Sequence, residues 1–279
     1  MSSREQRAER VLDLVVAVRE ERASPEAAAL LLARDAKPEL NVESELARID
    51  ELAAPLGELD PACPAEEQAH MLAGHLYEGL GFHGNEEDYY DPRNSYLDDV
   101  VRRRTGIPIT LALVMMAVGR RVGLQVEGIG FPGHFLARIG GEDGVLVDPF
   151  FGGRVLDDAA LSRLAARMLG SAARLDAVHL APVGMRSMVV RMLVNLKHAH
   201  ERQRDHARAM VVCDRLVDLT EDTAFVRDRG LHALALGAHS QAQEDLARYL
   251  LKEGKTAKDA AQVRAALARA QGGGGYGPS

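Results

Sequence analysis

The chain has 279 residues, enough for two domains of ordinary size, each with its own core. Hydrophobic residues make up 47% and charged residues 27%, the balance of a soluble globular protein; no signal-peptide core and no window of roughly 18 uninterrupted apolar residues is present, so export and a membrane span are not expected. A net charge of −7 excludes a broad nucleic-acid footprint, and no Trp with six Phe leaves few platforms for stacking bases or sugars.

Three helical patterns come first. Residues 5–21 carry Val11, Leu14, Val15 and Val18 on one face. Ser24-Pro25-Glu26 supplies an N-cap, a first-turn proline and an early carboxylate for a second helix running through Leu32. A third starts after Asn41 and is expected to bury Val42, Leu46, Ile49, Leu52 and Ala53, which recur at helical spacing. The Pro- and Gly-bearing stretch 55–64 is a loop, and a fourth helix is expected over 65–80.

Residues 81–94 have no period and are rich in turn formers, yet they carry Phe82, Tyr89 and Tyr90. A polar loop with that many aromatics is expected to pack, and long ordered loops are often functional. His83, Glu86, Glu87, Asp88 and Asp91 in it match neither a zinc nor a calcium spacing, so a solvated acidic loop, with no metal and no cofactor, is expected. A short helix, 95–104, follows and contains Arg102-Arg103-Arg104, for which a solvated or capping role is expected rather than nucleic-acid contact.

From Pro108 to Val122 the residues are apolar nearly all the way round, which marks a buried helix. Extended runs at 124–130, 135–139, 145–147 and 153–156 then predict a small antiparallel sheet, giving an α+β core. Helices are predicted over 158–169, 186–202, 205–219, 222–236, 239–252 and 256–270. Within these, Ala209, Cys213 and Leu216 recur as Ala242, Leu246 and Tyr249, each displaced by 33, and Lys197 maps to Gly230. Helical hairpins at that period are the tetratricopeptide class, and so few of them are expected to need the preceding domain for support. The division expected is a helical lead-in over 1–80, a core over 81–180, repeats over 181–271 and a disordered Gly-rich tail over 272–279.

The chemistry concentrates in Gly130-Phe131-Pro132-Gly133-His134-Phe135, followed by Val147-Asp148-Pro149-Phe150. A lone histidine near a strand is usually structural, but an aspartate after an apolar run, across a Gly-Gly hairpin, can accept the imidazole Nδ1–H as an orienting partner. A nucleophile would be needed at the start of the buried helix, where Gly106-Ile107-Pro108-Ile109-Thr110 holds no cysteine. Thr110 offers a hydroxyl, but its ordinary use is a first-turn bond to the backbone. Cys63 and Cys213 lie far apart, form no disulfide framework and fit a reducing cytoplasm; Cys63 reads as an ordinary loop cysteine.

The blocks at 89–97, 102–111, 130–136 and 147–153 resemble, in order, the SirB-type branch of the transglutaminase-like superfamily. The resemblance implies a papain- or transglutaminase-like core, a buried helix on a small antiparallel sheet, followed by tetratricopeptide-like repeats. It implies a Cys-His-Asp site, with His134 and Asp148 at the last two positions and the cysteine position on or near Pro108. The expected function is therefore a catalytically degenerate, regulatory module of the cytoplasm that binds a protein or peptide segment, with Asn94, Tyr96, Tyr90 and Pro108 lining the old cleft beside His134, Asp148 and Thr110. The alternative is an active hydrolase or amidotransferase with a Thr110 nucleophile, His134 as base and Asp148 as orienter. A third reading leaves the His-Asp pair to pin the hairpin.

Overall fold

A computed structural model describes residues 13–170 and 176–273. The chain divides into two compact units, Met1–Met192 and Leu193–Ser279. In the first, α1 (Leu14–Arg19), α2 (Pro25–Ala36) and α3 (Val42–Ala53) form the lead-in, and each begins on a side-chain cap: Asp13, Ser24 and Asn41 accept from Val15, Ala27 and Ser44 N–H. Residues 5–12 of the predicted leading helix, with Val11, lie outside the described residues.

The expected fourth helix is two structures. Ala65–Ala73 is α-helical (α4), but Gly74–Gly79 widens into a π-turn, with Leu80 N–H donating to His75 C=O. His75 Nε2 also bonds Leu52 C=O of α3 at 2.7 Å, so a neighbouring helix fixes the ring inside the widened turn. The 81–94 loop is not wholly irregular either. His83–Gly84 (β1) pairs in parallel with Thr105–Gly106 (β2), and Pro92–Asn94 forms a 3₁₀ turn before α5 (Leu97–Arg103). Phe82 is buried beneath the Arg104 guanidinium, Arg102 pairs with Glu45, and Arg103 bonds Asn94, so all three arginines of that run are engaged within the unit.

The centre is α6 (Pro108–Arg121), buried without interruption from Pro108 to Gly119. An all-apolar cylinder must be covered on every side, and α2, α3, α5 and the sheet cover it. Val126–Ile129 (β3), Leu136–Ile139 (β4), Val145–Asp148 (β5) and Arg154–Val155 (β6) make an antiparallel meander in that order. Alternation divides its faces: Gly128 lies against Met116 of α6, while Ile129 and Leu136 join Leu161, Leu164 and Ala165 of α7 (Asp158–Leu169).

After the 3₁₀ turn Ala177–Leu180, the chain laces back to the sheet. Ile129 bridges Pro182 and Val183 N–H donates to Gly128 C=O. Helix α8 (Met185–Arg202) then passes into the second unit, which holds α9 (His206–Leu219), α10 (Thr223–Ala235), α11 (His239–Glu253) and α12 (Ala260–Gly273). The residues predicted to recur at 33 are its interior: Ala209, Cys213, Leu216, Ala242, Leu246 and Tyr249 are all buried. Helix α12 takes in Gly272 and Gly273 of the expected tail, and 274–279 lie outside the described residues. No helix among the described residues is long and apolar enough to cross a membrane.

Candidate functional site

Strand register brings the pair together. Ala137 lies opposite Val147, so the approach to β4 and the end of β5 share one sheet edge, with His134 on one and Asp148 on the other. Gly133 takes φ +69°, the left-handed conformation that a side chain resists, and the turn closes through His134 N–H to Phe131 C=O at 3.0 Å. Phe131 and Phe135, both buried, anchor this turn on either side of the histidine.

His134 meets Asp148 at 2.9 Å, but through Nε2 and not through the Nδ1 expected from the sequence. The short Gly-Pro-turned approach presents the far edge of the ring to the carboxylate. Asp148 accepts Nε2–H, which leaves the Nδ1 lone pair outward, with no protein partner among the described residues and not sealed off as a buried orphan. The imidazole is thus oriented to accept a hydrogen bond from something outside the protein.

Asp148 itself is fully buried. Its Oδ1 also accepts from Phe150 N–H at 3.1 Å and Phe151 N–H at 3.4 Å, capping the 3₁₀ turn Pro149–Phe151. Oδ2 has no hydrogen-bond partner among the described residues, and Arg154 stands 4.0 Å away. Tyr77, delivered by the π-turn, lies near enough that burial and the Asp148 charge together push its phenol well above the ordinary range.

An aromatic wall runs outward from the pair. His134 lies 6.3 Å from Phe150 and 6.2 Å from Phe151; Phe150 continues to Tyr89 at 6.1 Å, and Tyr89 to Tyr90 at 5.3 Å. Phe150 packs against the bare backbone of Gly84, where a Cβ would fall 2.6 Å from its ring, so only glycine lets β1 approach so closely. Arg191 of α8 clamps the turn from below, donating from Nη2 to the carbonyls of Phe131 and His134. Burial lowers the pKa of its guanidinium, while the nearby Tyr89 opposes that shift.

The start of α6 supplies no nucleophile to this pair. Pro108 holds the first helical position, buried, with its ring inside the core. Thr110 is fully buried and its hydroxyl is consumed locally: it accepts Ile107 N–H at 3.1 Å and donates to Asn94 C=O at 2.8 Å, with Ile107 C=O at 3.1 Å. That is a helix cap, the first-turn backbone bond expected of such a threonine. Both thiols are poor candidates too. Desolvation and the carboxylates of Glu67 and Asp60 raise Cys63, and burial pushes Cys213 up to about 12, whereas a nucleophilic cysteine needs the opposite shift. Thr110→Val is therefore expected to cost about 1–2 kcal/mol through the orphaned Ile107 N–H, measured by urea unfolding. A hydroxyl-directed fluorophosphonate is expected to leave Thr110 unmodified; labelling there would restore the hydrolase reading.

The remaining predicted residues fall in different places. Tyr90 is exposed at the outer end of the wall. Asn94 is fully buried and organises the loop, accepting from Asn85 and Arg103 and donating to the Asp88 and Tyr89 carbonyls. Tyr96 is buried under the Lys37 ammonium, 5.1 Å from its ring centroid. Among the described residues no cluster of three or more His, Cys, Asp or Glu is placed to hold a metal ion. Tyr77 and Arg191 went unread in the sequence because each sits in an ordinary amphipathic pattern; only the Phe-Phe after Asp148-Pro149 gave a signal.

Comparison with known proteins agrees with this anatomy. Residues 43–194 match the family model described as transglutaminase-like superfamily, and 196–268 match a tetratricopeptide-repeat model. The chain is 41% identical over 231 residues to a UPF0162 protein of Xylella fastidiosa, covering 80% of this chain and 81% of that one. It is 31% identical over 193 residues to the UPF0162 protein PA3419 of Pseudomonas aeruginosa, covering 69% and 70%. A 76-residue stretch is 45% identical to F-box only protein 21 of Mus musculus, 27% of this chain and 12% of the other. No solved structure matches.

Proposed function

This chain belongs to the transglutaminase-like superfamily, in a SirB-like, UPF0162 branch with tetratricopeptide repeats behind the core, and from that premise we propose that it is a binding module rather than an acyl-transfer enzyme. The old catalytic cleft holds a protein or peptide segment, and the repeats offer a second surface for protein contact. One observation carries the reading: His134 is oriented by Asp148 with Nδ1 turned outward, while no thiol or hydroxyl among the described residues bonds that ring. An oriented acceptor beside an aromatic wall suits a backbone or side-chain N–H of a bound segment. The reading calls for no metal or cofactor, no nucleic acid and no membrane; it places the protein in the cytoplasm, in a regulatory role.

The test separates binding from mere scaffolding. His134→Gln keeps an N–H for Asp148 but removes the Nδ1 acceptor. Its melting temperature is expected to stay within about 4 °C of wild type, while partner capture in a pulldown read by mass spectrometry is lost. Unchanged capture would mean that the His134–Asp148 pair only pins the hairpin.

A further inference from the structure

Beyond the pair, Phe151 leads into a basic pocket that the proposed binding role has not used. It is a cavity of about 470 Å³ lined by Arg154, Arg163 and Arg167, with Asp157, Ala160 and Leu164 between them. Arg154 pairs across the sheet with Asp148, and Arg163 and Arg167 stand one turn apart on α7. Two of the guanidiniums flank the same ring: Arg154 lies 5.1 Å and Arg167 5.5 Å from the Phe151 centroid.

Three features make this arrangement unusual for the chain. Acidic residues outnumber basic ones, 41 to 34, and Arg102, Arg103, Arg120 and Arg121 of the same unit all have carboxylate partners. Among the described residues, Arg163 and Arg167 have none, and Arg154 reaches Asp148 Oδ2 only at 4.0 Å. The acid in the pocket, Asp157, already spends its carboxylate on Ala160 N–H as the cap of α7. The pocket therefore gathers like charges whose repulsion an anion would relieve, and two of its guanidiniums lie over the Phe151 ring with no carboxylate among the described residues nearer than 4.0 Å.

We propose that the Arg154–Arg163–Arg167 pocket takes the carboxylates of an acidic peptide segment; this deepens the binding role assigned to the cleft and rests on it. The chemistry favours carboxylates over phosphate. A phosphate cradle uses the free N–H groups of a helix N-terminus, and here Asp157 occupies that end of α7 with its own negative charge. The three arginines come from two elements, β6 and α7. Continuity favours a peptide: Phe151 is shared with the His134 wall at 6.2 Å, so a chain lying along Tyr89 and Phe150 runs on into the arginines.

The full-length protein is titrated against fluorescein-labelled hexaglutamate at low salt, with anisotropy as the readout. Wild type is expected to bind it and to lose affinity as NaCl rises, because these charges face solvent. Arg163→Gln/Arg167→Gln, changing two exposed side chains, is expected to bind roughly tenfold or more weakly, and hexaglutamine not at all. The overall charge of −7 repels hexaglutamate, so binding reports a local site. Equal binding by the double variant, equal binding of hexaglutamine or no binding by wild type overturns the proposal. Displacement by inorganic phosphate at concentrations below those of unlabelled hexaglutamate would reassign the pocket to phosphate and overturns it as well. Hexaglutamate binding by the arginine variant judges the pocket, and partner capture by His134→Gln judges the cleft, so the two failures are read in separate assays.

Discussion

Asp148→Ala is expected to lower the unfolding free energy by roughly 2–5 kcal/mol, read from urea denaturation of the full chain. One buried oxygen, Oδ1, serves His134 Nε2, Phe150 N–H and Phe151 N–H together. Removing it orphans two backbone donors and an imidazole in a site without room to rehydrate all three, and each unsatisfied group costs about 1–3 kcal/mol. Asp148→Asn retains the accepting oxygen and is expected to cost about 1 kcal/mol or less. If both variants were equally destabilised, the carboxylate charge rather than the three accepted bonds would hold the hairpin. The comparison matters for function, because it shows how much of the pair is foundation and how much is available to a ligand.

The second large effect is expected in the repeat unit. Lys197 lies buried with its ammonium 2.7 Å from Asp228 and 2.8 Å from Glu201. Lys197→Met removes the cation those two carboxylates share, leaving, among the described residues, Asp228 only Arg227 and Glu201 only His232, at a cost of roughly 3 kcal/mol. The same cluster makes stability pH-dependent in a defined direction. Although burial opposes it, bonding to His232 and Lys197 holds the Glu201 carboxyl down to about 2, from an ordinary 4.5. A lowered folded pKa means that the contribution is complete above about 4.5 and is lost as pH falls toward about 2. Lys197 is shifted upward by its bonds to Asp228 and Glu201 against the opposing effect of burial, so its contribution is present below the ordinary lysine value and is lost as pH rises through the folded one. Thermal unfolding between pH 2 and pH 5 is expected to show the acid loss in wild type and a smaller one in Lys197→Met.

Much of this was legible in the sequence for physical reasons that can be named. Helix α6 has no polar face, so burial was the one solution open to it, and Pro108 to Gly119 are buried accordingly. Ser24 and Asn41 announced helix starts because a short polar side chain before an apolar period has a backbone N–H to satisfy. The hairpin brought His134 to Asp148 because strand pairing depends on spacing, which sequence displays. Spacing says which residues meet but not which ring edge, and so the bond formed through Nε2 instead of Nδ1. The π-turn escaped because its amphipathic pattern is that of an α-helix; the choice was made by a bond from His75 to another helix. Strand β1 escaped because two residues paired only through their backbone carry no pattern. Arg191 reaches the His134 turn from 57 residues away, a distance over which no local rule operates.

The placing of Tyr89 and Tyr90 along the wall that leads from His134, and of Tyr77 near Asp148, has a practical consequence. The chain has no tryptophan and six tyrosines, so its intrinsic ultraviolet emission is tyrosine emission, and half of its fluorophores stand at the cleft. A ligand lying along that wall is expected to change the solvation of Tyr89 and Tyr90. The protein thus carries its own optical reporter, readable without a label and placed where occupancy is in question.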